Sequence, residues 1–205
     1  MHPAVTRAHA TPTIWGGPIA VRSRRTDPWS SDISTADTIG ILRSLVRQYA
    51  RDASVYLANF QALSALSPAA SQRDIACAIF HWVRSRVRFI EDEQVMYEQL
   101  GVAPDELDKE LLIVPPTLLS MPQPMGDCDD FALLIACQLA CAGIQSYFVT
   151  VAADATDPKK FSHIYNCARL EDEGAYLCLD AGNRMAAVPP GWEIQKPMRK
   201  AIWTV

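Results

Sequence analysis

No stretch of this chain approaches the apolar length needed to cross a bilayer, and its richest run, Ala132 to Ala142, is interrupted by Gln138. Basic charge is not in excess either. The 19 Lys and Arg face 23 Asp and Glu, giving a formal net charge of −4, and a general nucleic-acid binder shows a basic surface instead. Two local basic groups do not reverse this: Arg22, Arg24 and Arg25 suit a docking arm, and Arg84, Arg86 and Arg88 a solvated face at a helix-to-strand junction. The opening residues Met1 to Arg7 lack the apolar centre of a secretory signal. No His or Cys pair stands at zinc-site spacing beside Cys137 and Cys141, and no loop alternates oxygen ligands in the calcium manner. These absences lead us to expect a cytoplasmic protein with no membrane or nucleic-acid partner, no cofactor and no metal.

Cysteine is present, but not as a disulfide framework. Cys77, Cys137, Cys141, Cys167 and Cys178 sit inside apolar helical or strand patterns rather than in turn-rich loops. Such cysteines pack as small hydrophobes in a reducing compartment. Cys167 and Cys178 come near each other across a hairpin, where air can oxidise them.

At 205 residues the chain fits one domain with a sizeable core plus extensions. Residues 1–32 carry Pro3, Pro12, Gly16, Gly17, Pro18 and Pro28 with little periodicity, and read as an extended arm bearing Trp15 and Trp29. The compact domain spans 33–188. Ile41, Leu42, Leu45, Val46, Tyr49 and Ala53 recur at helical spacing, an apolar run follows from Val55 to Leu66, and Ser71 to Val87 makes a further helix. Residues 91–124 form a long insertion with a helix expected around Asp105 to Ile113, and read either as one wall of a cleft or as a plain surface excursion. Strands are expected over 145–152, 161–170 and 175–180. The tail, 189–205, carries Trp192 and Trp203 and wraps the core or meets a neighbour.

The most telling residues are Gly126-Asp127-Cys128-Asp129-Asp130-Phe131. They lead into a segment apolar nearly all round, which belongs in a core, with Gly143 as its stop and Asp127 or Asp129 as its start. Cys128 then falls on the first turn, where free N–H groups and the helix dipole favour a thiolate. Asp129 and Asp130 read as favourable charge on that turn. Downstream, Phe161 to Ala168 alternates as a strand, Glu171-Asp172-Glu173-Gly174 reads as a turn, and Ala175 to Asp180 as a second strand. A hairpin turning about Glu171 and Asp172 sets Leu170 opposite Glu173 and His163 opposite Asp180, on one face. A bulge at Gly174 shifts that pairing by one residue and spoils it. A thiol needs an imidazole to take and return its proton, and a carboxylate on the far ring nitrogen fixes the tautomer. Cys128, His163 and Asp180 supply that set. His81, by contrast, reads as structural, and His2 and His9 lie in the arm.

These segments resemble the transglutaminase-like superfamily. Gly126 to Leu134 with Gly143-Ile144 and Phe148-Val149-Thr150-Val151 is similar to its nucleophile segment. Ser162 to Asn166 is similar to its histidine strand, Leu179-Asp180-Ala181-Gly182 to its aspartate segment, and Asp74 to Ile90 to the helix and short strand upstream. The resemblance implies an α+β, papain-like core with N-terminal helices on an antiparallel sheet. It also implies a Cys-His-Asp triad working through a thioester acyl-enzyme. Cys128 is then the nucleophile, His163 base and acid, and Asp180 the orienting carboxylate. The oxyanion hole would use the Cys128 N–H and an upstream donor, with Gln123 the first candidate and Gln94 the second. The implied activity is hydrolysis or transfer of a peptide or carboxamide acyl group, with a protein or peptide as substrate. A peptidase or deamidase on the same triad is the alternative. So is an assembly protein, phage-derived and virion-associated, that meets a protein partner through arm and tail.

Overall fold

The structure is a computed structural model that describes residues 19–23, 31–95, 109–184 and 188–205. His2, His9, Trp15, Trp29 and Asp105 lie outside the described residues. In chain order the elements are β1 (Ile19–Ser23), α1 (Ser31–Tyr49), α2 (Ala53–Leu63), α3 (Gln72–Arg86), β2 (Arg88–Phe89), α4 (Asp92–Val95), β3 (Lys109–Ile113), α5 (Pro115–Ser120), β4 (Met125–Gly126), α6 (Cys128–Cys141), β5 (Ser146–Ala152), β6 (His163–Leu170), β7 (Ala175–Leu179) and β8 (Arg199–Thr204).

Local chemistry sets the helix boundaries. Asp52 caps α2 by accepting from the Ser54 N–H, and Ser71 with Asp74 closes a reciprocal capping box on α3. Proline opens α5, where its missing N–H costs nothing. α6 ends at Gly143, whose φ of 75° is the left-handed conformation a non-glycine residue resists.

The result is a mixed helix-and-sheet architecture. Its main sheet has four strands in the order β7-β6-β5-β8, and each neighbouring pair is antiparallel. Two small pairs flank it: β1 with β3 antiparallel, and β2 with β4 parallel. The helix expected up to Ile113 is instead, over Lys109–Ile113, a strand paired with Ile19–Ser23. A short apolar run leaves helix and strand open; here a partner strand and the Ile113 N–H, which donates to Asp130 Oδ1 at 2.7 Å, decide it.

The core is built round α6. Ala132, Leu133, Ala136 and Cys137 pack with Ile39, Leu42 and Val46 of α1, Val55 of α2 and Phe148 and Ile164 of the sheet. Phe131, Leu134, Ile135 and Leu139 pack with Ile79, Phe80 and Val83 of α3 and with Ala168, Leu170, Leu177 and Leu179. Each fully buried leucine contributes roughly 1.5–3 kcal/mol by leaving water. The other face of the sheet carries Val149, Val151, Tyr165, Cys167 and Cys178. There Cys167 and Cys178 are joined as a disulfide, where only the possibility of oxidation was expected. Their strands face each other in register, which brings the two thiols together. Among the described residues, no helix is long and apolar enough to cross a membrane.

Candidate active site

Asp127 is the N-cap of α6 and Cys128 its first residue. The Asp127 side chain accepts from the Asp129 N–H at 3.2 Å, and the Asp130 side chain reaches back to the Asp127 N–H at 3.3 Å. This reciprocal cap explains the Gly126-Asp127-Cys128-Asp129-Asp130 run. Asp130 crosses under the entering chain so closely that a Cβ at Gly126 would lie 2.3 Å from its Oδ2. Only glycine fits there. Cys128 itself is half-buried and outside any disulfide.

Asp129 and Asp130 were expected from the sequence as favourable charge on the first turn. Both are buried. Burial first, then the Asp127 carboxylate, hold the Asp129 carboxyl well above the usual range. Asp130 is raised by the same two causes and by Asp92, against its two backbone hydrogen bonds. Asp92, Asp127 and Asp130 bring carboxylate oxygens within 4.8 Å of one another. Such a group sheds its repulsion by holding a proton or a hard cation, for which oxygen ligands are suited. No local pattern announces this group, because Asp92 is far upstream on α4. Carboxylates gather in this way without an ion as well.

The His163 Nε2 lies 2.8 Å from Asp180 Oδ1, with the carboxylate side chain wholly buried and the imidazole 14 % exposed. The register that achieves this differs from the expected one. Leu170 pairs with Ala175, not Glu173, because all four residues Glu171–Gly174 are spent on the turn, with Gly174 at φ 63°. The shift is two residues, so side chains keep their face. Continuing the β6–β7 register sets Asp180 opposite Tyr165 and diagonal to His163, still within reach. A one-residue bulge would have broken the pair.

The loop after Asp180 joins this dyad to the helix. A Cβ at Gly182 would stand 3.3 Å from the Cys128 Cα and 3.3 Å from the Phe131 Cβ, so the Gly182 backbone lies against the first turn of α6. Asn183 Nδ2 donates to Asp180 Oδ2 at 2.9 Å. Arg84, expected on a solvated face, instead reaches from α3 to donate to the carbonyls of Ala181 and Asn183 at 3.1 and 3.2 Å. A narrow cleft, closed to a water-sized molecule, runs between α6 and the sheet, lined by Cys128, Phe131 and Ile135 on one side and Ile164, Asn166 and Gly182 on the other. Asn166 is fully buried with neither amide atom hydrogen-bonded, a state that costs about 1–3 kcal/mol.

Gln123 is exposed in the segment between α5 and β4, and Gln94 is exposed on α4; neither lines this cleft. His81 is exposed and set edge-on to Phe80. Sequence reasoning missed Arg84, Asn166 and Asn183 as residues around the site. For Asn183 the signal was its place three residues after Asp180, the spacing of a side chain that closes a turn.

No family model matches the chain, and no curated protein matches it. Among solved structures it is similar to a candidate protease from Parabacteroides distasonis, at 13% identity and a TM-score of 0.38, over 72% of this chain and 26% of that one. The chain thus spans about a quarter of that protein's length. A likeness so slight says nothing about chemistry, which rests on the residues above.

Proposed function

We propose that the protein is a thiol-dependent amide hydrolase or acyl transferase of the transglutaminase-like kind, with Cys128 as nucleophile. The observation that carries the reading is the partly buried Asp180–His163 hydrogen bond, on a segment whose Gly182 backbone lies against the turn that bears Cys128. In this reading Asp180 fixes the His163 tautomer and leaves Nδ1 to serve the thiol. His163 takes the Cys128 proton, the thiolate attacks an amide carbonyl, and the imidazolium returns the proton to the leaving amine. A thioester remains, which water or an amine then resolves. The Cys128 N–H, on the first turn of α6, is one donor for the developing oxyanion.

Strand alternation puts His163 on the sheet face of Tyr165 and Cys167, opposite the one on which α6 packs. Its place as first residue of β6 is therefore essential to the reading: a side chain at a strand's end can turn round the margin, and one in mid-strand cannot. The test is the pH dependence of iodoacetamide labelling at each cysteine, read by peptide mass spectrometry, in wild type and His163→Ala. Labelling of Cys128 well below the free-thiol range of about 8.5, slowed by the substitution, supports the reading. Labelling of Cys128 no faster than Cys77 sinks it.

A further inference from the structure

The Asp180 carboxylate has two oxygens, and the chemistry above uses one. Oδ1 serves His163; Oδ2 accepts from Asn183 Nδ2 at 2.9 Å. The amide's orientation follows from charge: an ionised carboxylate offers only acceptors, so the group facing it must be the NH₂. The Asn183 N–H also faces the Asp180 carbonyl at 3.4 Å, closing a turn. Arg84 then fixes the far side of that turn through one Nη1 atom shared between the carbonyls of Ala181 and Asn183. These contacts leave the carboxylate little freedom to rotate.

We propose that Asn183, braced by Arg84, is a positioning residue for the His163–Asp180 dyad, a role that rests on the reading of Cys128 and His163 given above. A buried carboxylate held at one oxygen only can swing about its Cα–Cβ and Cβ–Cγ bonds. Held at both, it presents Oδ1 in a single direction and so keeps the imidazole in the Nε2–H tautomer. Arg84 acts one step further out, by holding the backbone from which Asn183 and Gly182 project. The same brace keeps Gly182 against the Cys128 turn, coupling dyad geometry to nucleophile geometry through one short loop.

The full-length chain is tested as Asn183→Leu, Asn183→Ala and Arg84→Lys beside wild type and His163→Ala. Asn183→Leu preserves shape and removes the donor without setting a second carboxylate beside Asp180, so it guards against simple loss of fold in the alanine variant, which melting curves would reveal. Cys128 alkylation is measured at pH 6 and pH 9. We expect both Asn183 variants to slow labelling about tenfold at pH 6, the equivalent of one pKa unit, and to leave it unchanged at pH 9, where the thiol ionises unaided. Arg84→Lys retains a donor and should slow it about threefold, for loss of one charge-assisted hydrogen bond of the two. A packing defect alone moves both pH values together. Profiles identical to wild type in both Asn183 variants overturn the proposal.

The imidazole ¹⁵N shifts of His163, which report its tautomer, separate the two readings. If His163→Ala leaves Cys128 labelling unaltered, the enzyme reading fails, and the shifts alone judge Asn183. A change from the Nε2–H tautomer in Asn183→Leu then upholds the positioning role, and unchanged shifts remove it.

Discussion

Cys128 and Cys137 stand about two and a half turns apart on the same helix and meet opposite surroundings. At Cys128 the helix is beginning: an aspartate caps it, a glycine backbone lies against it, and the thiol is half-buried. At Cys137 the helix is enclosed by Leu42, Val46 and Val55, and burial drives the thiol far above its ordinary range. The residue type is the same, so what differs is position on the element. A helix end offers unpaired N–H groups and an edge to solvent, whereas a helix middle offers neither. A reactive thiol on a buried helix is therefore to be sought at its first turn.

The sharpest way to break this contrast is to remove the group that would set Cys128 apart. His163→Ala is expected to slow Cys128 alkylation about a hundredfold at pH 6, the low end of what a positioned base contributes, and to leave Cys137 unlabelled in the folded protein. Equal labelling of the two cysteines in wild type would abolish the distinction. Next in size is the disulfide between the strands that lead to His163 and Asp180. Its sequence separation of 11 closes a short loop, worth roughly 2–3 kcal/mol. Cys167→Ser with Cys178→Ser should lower the melting temperature by several degrees under oxidising conditions. With reductant the difference should vanish, since wild type loses the bridge as well; a difference that survives reductant assigns the loss to packing. Smaller again is the cap. Asp127→Ala should cost about 1 kcal/mol in urea unfolding and raise the mobility of the Cys128 turn, without effect at Cys137. A cost near zero would mean that Asp130 alone holds the helix start.

The same contrast explains which features were legible in the sequence. Gly126 to Phe131 announced the helix start because its chemistry is local: cap, glycine and stop all lie within one element. His163 and Asp180 were legible as neighbours, because strand alternation preserves a face even when the register moves by two. The register itself was not, since the choice between a two-residue and a four-residue turn at Glu171–Gly174 rests on the left-handed Gly174. Lys109–Ile113 was misread because its pairing partner, Ile19–Ser23, is remote in sequence. Arg84 on α3 reaches the 181–183 loop, and Asp92 approaches Asp127 and Asp130, only after α3, α6 and the sheet have packed. Nothing local marks such residues.

Cys137 offers the finest test, through linkage. Its folded thiol lies above the ordinary 9.0, chiefly through burial. The folded state therefore keeps a proton over a range where the unfolded chain has lost it, and stability falls as pH rises through that range. The contribution is fully present below pH 9 and declines above it, by about 0.8 kcal/mol at pH 9.5 on the linkage relation. Cys137→Ala costs stability at pH 7 through lost packing, about 1 kcal/mol, but no longer carries this slope. The gap between wild type and variant, from urea unfolding at pH 7, 8.5 and 9.5, should therefore narrow at the highest pH. A gap constant with pH would mean that the Cys137 thiol meets water in the folded protein, and the two cysteines of α6 would then differ far less than their positions require.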